Sequence, residues 1–89
     1  MTGQPSATTA VSLTNASYST VATAPYQVRL ICSNGAGARI HFGTSAPSIS
    51  TENYYPIGPY IQFEMSGLAG CNVYACSEGP TATLRVVAA

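Results

Sequence analysis

The chain has no Trp, no Asp and no Lys, and its 89 residues carry three acids, three bases and one histidine. Charged residues make up 7% of it, against about a quarter in ordinary soluble domains. Each absence excludes something. Three scattered arginines offset by three glutamates cannot neutralise a run of phosphates, which argues against nucleic acid as a partner. No apolar run approaches the ~20 residues that span a bilayer, so no membrane partner is expected. The stretch MTGQPSATTA lacks the basic start and apolar core of a secretory leader, and the expectation is a protein made in a cytoplasm. Without Asp, and with His41 alone, a Ser-His-Asp triad or an ordinary zinc site is hard to assemble.

Cysteine is scarce and odd in number, at Cys32, Cys71 and Cys76, which does not describe a disulfide framework. Cys71 and Cys76 are opposite in parity and on one strand would face opposite ways. Three reduced packing thiols are expected, the alternative being a contact of Cys32 with Cys71 or Cys76 across the sheets. Strand parity leaves Cys76 open as the nucleophile of a pair with His41 as base; the plainer reading is an exposed or interface histidine. Glu52, Glu64 and Glu78 lie on separate segments, so spacing pairs no two carboxylates. The reading is of a protein that is not an enzyme, with no cofactor and no metal.

What remains is Thr, Ser, Ala, Gly, Val and Tyr, patterned with a period of two. In QVRLICSNGAGARIHFG, Val28, Leu30 and Cys32 alternate with Arg29, Ile31 and Ser33, and Ala38, Ile40 and Phe42 alternate with Arg39 and His41. Asn34-Gly35 and Gly37 between them predict a hairpin. Residues 1–10 read as a flexible arm with Pro5 unable to join a ladder, and 11–89 as one domain. One or two short strands are expected from Val11 to Thr23, a surface loop in TSAPSISTE, and strands led by Ile61, Phe63 and Met65, by Val73 and Ala75, and by Ala82, Leu84 and Val86. No stretch of ten residues keeps a helical period. The fold class is all-β: a small antiparallel β-sandwich, jelly-roll-like, of about six to eight strands. The expected core is Val28, Leu30, Cys32, Ile40, Phe42, Ile61, Phe63, Val73, Leu84 and Val86.

Arg29, Arg39 and His41 share the polar parity of the predicted hairpin, and Tyr54, Tyr55 and Tyr60 flank a proline-rich corner. Tyrosine is favoured where apolar area and a hydrogen bond must be offered together. These six are the candidate interface residues; the alternative for the tyrosines is that they plug one end of the sandwich. Asn53 and Gln62 beside them leave a carbohydrate-binding face open.

From Tyr26 to Val87 the order of motifs resembles a group of small β-sandwich proteins encoded among tailed-phage structural genes. An apolar strand leads to Ile40, Phe42, Gly43, Thr44 and Ser45; then come a Ser/Thr/Ala/Pro loop, Tyr55-Pro56, Tyr60 and Phe63, a glycine turn, Val73 and Ala75, and a closing strand rich in Thr and Val. Cys71 and Cys76 depart from that pattern. The resemblance implies a non-catalytic virion structural protein, foremost a capsid decoration or cement protein on the outer surface of the phage head. Its partner would be the major capsid protein, and dimers or trimers would be the working form. A head-fibre base, tail or adaptor component is the alternative within the virion, and a glycan- or receptor-binding module the alternative outside it. The scarcity of charge is consistent with a chain that lives assembled.

Overall fold

The computed structural model describes residues 8–67 and 70–88. They form eight strands: β1 (Thr8–Thr14), β2 (Ser19–Ala22), β3 (Gln27–Asn34), β4 (Ala38–Gly43), β5 (Tyr55–Ile57), β6 (Gln62–Ser66), β7 (Asn72–Ser77) and β8 (Thr81–Ala88). The first sheet has the order β1-β8-β3-β6 and the second β2-β7-β4-β5. All neighbours within the sheets are antiparallel.

The pairing has a simple logic. β1 pairs with β8, β2 with β7, β3 with β6 and β4 with β5. These are the rungs of one long hairpin whose bend lies between β4 and β5, rolled so that successive rungs fall in alternate sheets. That is the jelly roll, the double-sheet solution in which apolar faces meet and few edges remain. The expected β-sandwich is therefore what the chain builds, and in the jelly-roll topology.

The predicted hairpin between β3 and β4 does not form. β3 lies in the first sheet beside β8 and β6, and β4 in the second beside β7 and β5. The Asn34–Gly37 turn carries the chain across the sandwich. Gly35 and Gly37 both have positive φ, +87° and +120°, so the glycine signal marks a real reversal. A turn joins consecutive strands equally well within a sheet or between sheets, and only the packing of the apolar faces chooses. At this crossing a bulge between Cys32 and Asn34 shifts the register of β3 on β8. The Asn34 side-chain carbonyl accepts a bond from Thr83 N at 2.8 Å, and the Cys32 thiol donates to the Asn34 carbonyl at 3.0 Å. Backbone groups displaced by the bulge thus remain satisfied.

The core lies between the sheets. Leu13, Val28, Leu30, Cys32, Ala38, Ile40, Val73, Ala75, Leu84 and Val86 are buried in it, with Ile57 and Ala82 at its margin. Seven of the ten expected core residues are among these. Phe42 and Phe63 are only partly buried; their rings meet on the side of β5 and β6, outermost strands of the two sheets. Ile61 is 58% exposed, contrary to expectation. Tyr60 takes φ +63° and donates its N–H to the Cys32 carbonyl, so the chain is still turning at Ile61 and the alternation begins one residue later. The arm boundary also moves. Thr8, Thr9 and Ala10 pair with Val87, Val86 and Arg85, and β1 therefore takes in the last three residues of the expected arm; the rest of it, residues 1–7, lies outside the described residues.

Candidate functional site

Because β3 and β4 belong to different sheets, the six candidate interface residues separate. Arg29 is on the outer face of the first sheet, its guanidinium 2.8 Å from Glu64 of β6. Arg29 holds the Glu64 carboxyl below the usual carboxylate range, chiefly through their hydrogen bond. Tyr60 stands apart near the β5–β6 connection, 69% exposed. Arg39, His41 and Tyr54 come together on the outer face of the second sheet, and Tyr55 lies at its edge.

That outer face is layered. Along the β4–β7 ladder Arg39 is opposite Cys76 and His41 opposite Tyr74. Two connections lay aromatic rings over them. Tyr18, from the β1–β2 connection, meets the His41 ring edge-on at 6.2 Å, and Tyr74 lies at 6.2 Å on a tilt. From the long β4–β5 connection, the Asn53 carbonyl sits 2.7 Å from His41 Nδ1. A carbonyl can only accept, so Nδ1 carries the proton. The Tyr54 ring receives the Arg39 guanidinium at 4.6 Å from its centroid, a stacked cation–π contact. Arg39 Nε is 3.1 Å from Glu78 Oε1, an ion pair at the border of this face.

Tyr18, Tyr74 and Cys76 form a small buried cluster of their own on this face. Burial pushes the Tyr18 phenol up to about 12, with the neighbouring Cys76 thiol adding to the effect. Among the described residues the buried Tyr18 hydroxyl meets no acceptor in hydrogen-bonding geometry. Burial also raises the Cys76 thiol, against the lowering by Tyr18 and Arg39. A thiol so held stays protonated near neutral pH, the reverse of an activated nucleophile. His41 shares its face, as parity allowed, but its Nδ1 is committed to Asn53. All three cysteines are free. Among the described residues no three His, Cys, Asp or Glu side chains converge to hold a metal ion.

Comparison with protein-family models, with curated proteins and with solved structures finds no match. The site must be read from its own chemistry. Beside the layered face, at the edge strand β5, lies a groove of about 350 Å³ lined by Ile40, His41, Phe42, Asn53, Tyr54, Tyr55 and Met65. Its wall is mostly apolar. Tyr55 packs on Phe63 at 5.0 Å between ring centroids, and Phe42 on Phe63 at 6.0 Å. The groove and the Arg39–Tyr54 stack make one continuous surface of aromatic rings with a cation, an anion and an amide at its border. Such a surface has the make-up of a contact site.

Sequence reasoning found Arg39, His41, Tyr54 and Tyr55 but missed Tyr18, Tyr74 and Met65. Tyr18 had a signal of its own, as the lone aromatic in a run of small residues. Met65 had none, reading only as one more alternating residue of its strand.

Proposed function

We propose that this protein is a virion structural subunit, foremost a capsid decoration or cement protein that docks on the outside of a phage head and stabilises the shell. The observation that carries the reading is the pairing of a jelly roll with a surface almost free of charge, the site being built for contact and not for turnover. Jelly rolls recur in viral capsid and lectin domains, a fold-level analogy that agrees with the motif order from Ile40 to Ala75. The Arg39, Tyr54 and Tyr55 surface would meet the major capsid protein. Each copy would add a weak contact between neighbouring capsid subunits, and many copies would clamp the shell by mass action without chemistry.

The deciding experiment is the copy number of the chain in purified particles, by quantitative mass spectrometry. A decoration protein is present in proportion to the capsid protein; the few copies of a ring or fibre would transfer the reading to a head-fibre base, tail or adaptor component. A second reading, a glycan- or receptor-binding module, is favoured by the groove, where Tyr54, Tyr55 and Asn53 offer aromatic platforms beside an amide. Glycan-array binding that disappears in Tyr54→Ala or Tyr55→Ala would establish it in place of the first.

A further inference from the structure

β6 is the outermost strand of the first sheet, paired only with β3 among the described residues. Proteins blunt such edges with a lysine, a proline, a bulge or a covering loop. β6 has no lysine or proline, its one charge, Glu64, is already paired with Arg29 of β3, and its register with β3 runs unbroken from Gln27↔Ser66 to Ile31↔Gln62. We propose that β6 pairs antiparallel with β6 of a second copy about a two-fold axis through Phe63, joining the two first sheets into one sheet of eight strands. This deepens the reading of a protein that works in repeated copies, and rests on that reading only for its purpose.

The register follows from the side chains. In an antiparallel pair, opposed residues share a face. With Phe63 opposite Phe63 of the second copy, Gln62 faces Glu64 and Ile61 faces Met65, each pair occurring twice. Ile61 and Met65 are exposed large apolar residues, at 58% and 36%, and here each covers the other. Met65 is part of the groove wall, so Ile61 of the second copy arrives at the groove's mouth. The polar pair also fits. Arg29 Nε, Arg29 Nη2 and Gln27 Nε2 all direct their bonds to Glu64 Oε2, which leaves Oε1 open to the Gln62 amide of the second copy. Centring on Glu64 instead would oppose the two carboxylates and set Ile61 against Gly67, where no side chain meets it.

The test is a charge series at Gln62, an exposed edge position that the fold does not use. Sedimentation equilibrium at low salt is expected to show a dimer for the unaltered chain. Gln62→Glu, which opposes Glu64 twice, should raise the dimer Kd about tenfold, and Gln62→Lys should lower it by a similar factor. In a Cys71→Ser background, oxidation of a mixture of Gln62→Cys and Glu64→Cys chains should yield a cross-linked dimer, and neither variant should cross-link alone. A chain that stays monomeric at all concentrations, a Kd indifferent to the sign of charge at position 62, or cross-linking of Glu64→Cys by itself would overturn the proposal. Pairing without binding to shells would sink only the decoration reading; shell binding by a chain that fails these tests would sink only the pairing.

Discussion

Gly37 is where the crossing of the sandwich can be tested most directly. Its φ is +120°, and a Cβ built on it would lie 2.5 Å from the Ile57 carbonyl oxygen of β5. That oxygen belongs to backbone held by the β4–β5 ladder, with Ala38 opposite Ile57, so it cannot step aside as a side chain would. Gly37→Ala therefore meets two penalties. The left-handed backbone costs an L-residue about 1–2 kcal/mol, and forced overlap in a packed region about 1–3 kcal/mol more. The sum, roughly 2–5 kcal/mol, is a large part of the ~5–13 kcal/mol expected for a domain of this size. Two other glycines calibrate it. Gly67 has φ +73° with no described atom within 4 Å of its would-be Cβ, and Gly67→Ala should show the backbone penalty alone. Gly79 has no positive φ, and its would-be Cβ makes an ordinary 3.6 Å contact with Ala36; Gly79→Ala should be close to neutral. Urea denaturation of the three variants, compared at equal m-value, measures the series. If β3 and β4 formed a simple hairpin, Gly37 would point into solvent and behave like Gly67. Equal losses for Gly37→Ala and Gly67→Ala would refute the crossing.

Other outcomes follow from burial and charge. Leu30, fully buried in the core, should lose about 2–5 kcal/mol on Leu30→Ala, and Phe63→Ala about half of what a buried phenylalanine loses. Ile61→Ser, measured where the chain is monomeric, should change stability by no more than ~0.5 kcal/mol; a loss like that of Leu30 would contradict its exposure. Tyr18 has a folded pKa of about 12 against an unfolded value of 10.0, so the unfolded chain gives up this proton first. The stability it contributes is complete below pH 10 and is lost as pH rises toward 12, by on the order of 2–3 kcal/mol. Tyr18→Phe should flatten that alkaline limb in pH-dependent denaturation, leaving the slope due to Cys76, and should be neutral or slightly stabilising at pH 7, since it removes a buried hydroxyl without an acceptor. Deleting residues 2–10 removes the Thr8, Thr9 and Ala10 pairs of β1 with β8. Its melting temperature should fall, whereas an arm lying wholly outside the fold would leave it unchanged.

The period of two in the sequence determined the strands and most of the core. Alternation in Val28, Leu30 and Cys32, in Ala38 and Ile40, and in Ala82, Leu84 and Val86 is a local property of pleated backbone, and each of these residues faces the interior as its parity requires. The glycines between β3 and β4 likewise marked a reversal that exists. What parity cannot state is which sheet a strand joins. That choice minimises exposed apolar area over the whole chain, and it sent β3 and β4 to opposite sheets. Arg29 was thereby parted from Arg39 and His41, although all three have the same parity on strands consecutive in the chain. Parity also placed Phe42 and Phe63 in the core, but they lie toward the outermost strands β5 and β6, where fewer neighbours cover them, and Phe42 lines the groove. The contacts of Tyr18 and Asn53 with His41 are tertiary as well. They come from connections 23 and 12 residues away and meet only because the roll lays both loops over one face of β4, a coincidence in space that no spacing along the chain encodes.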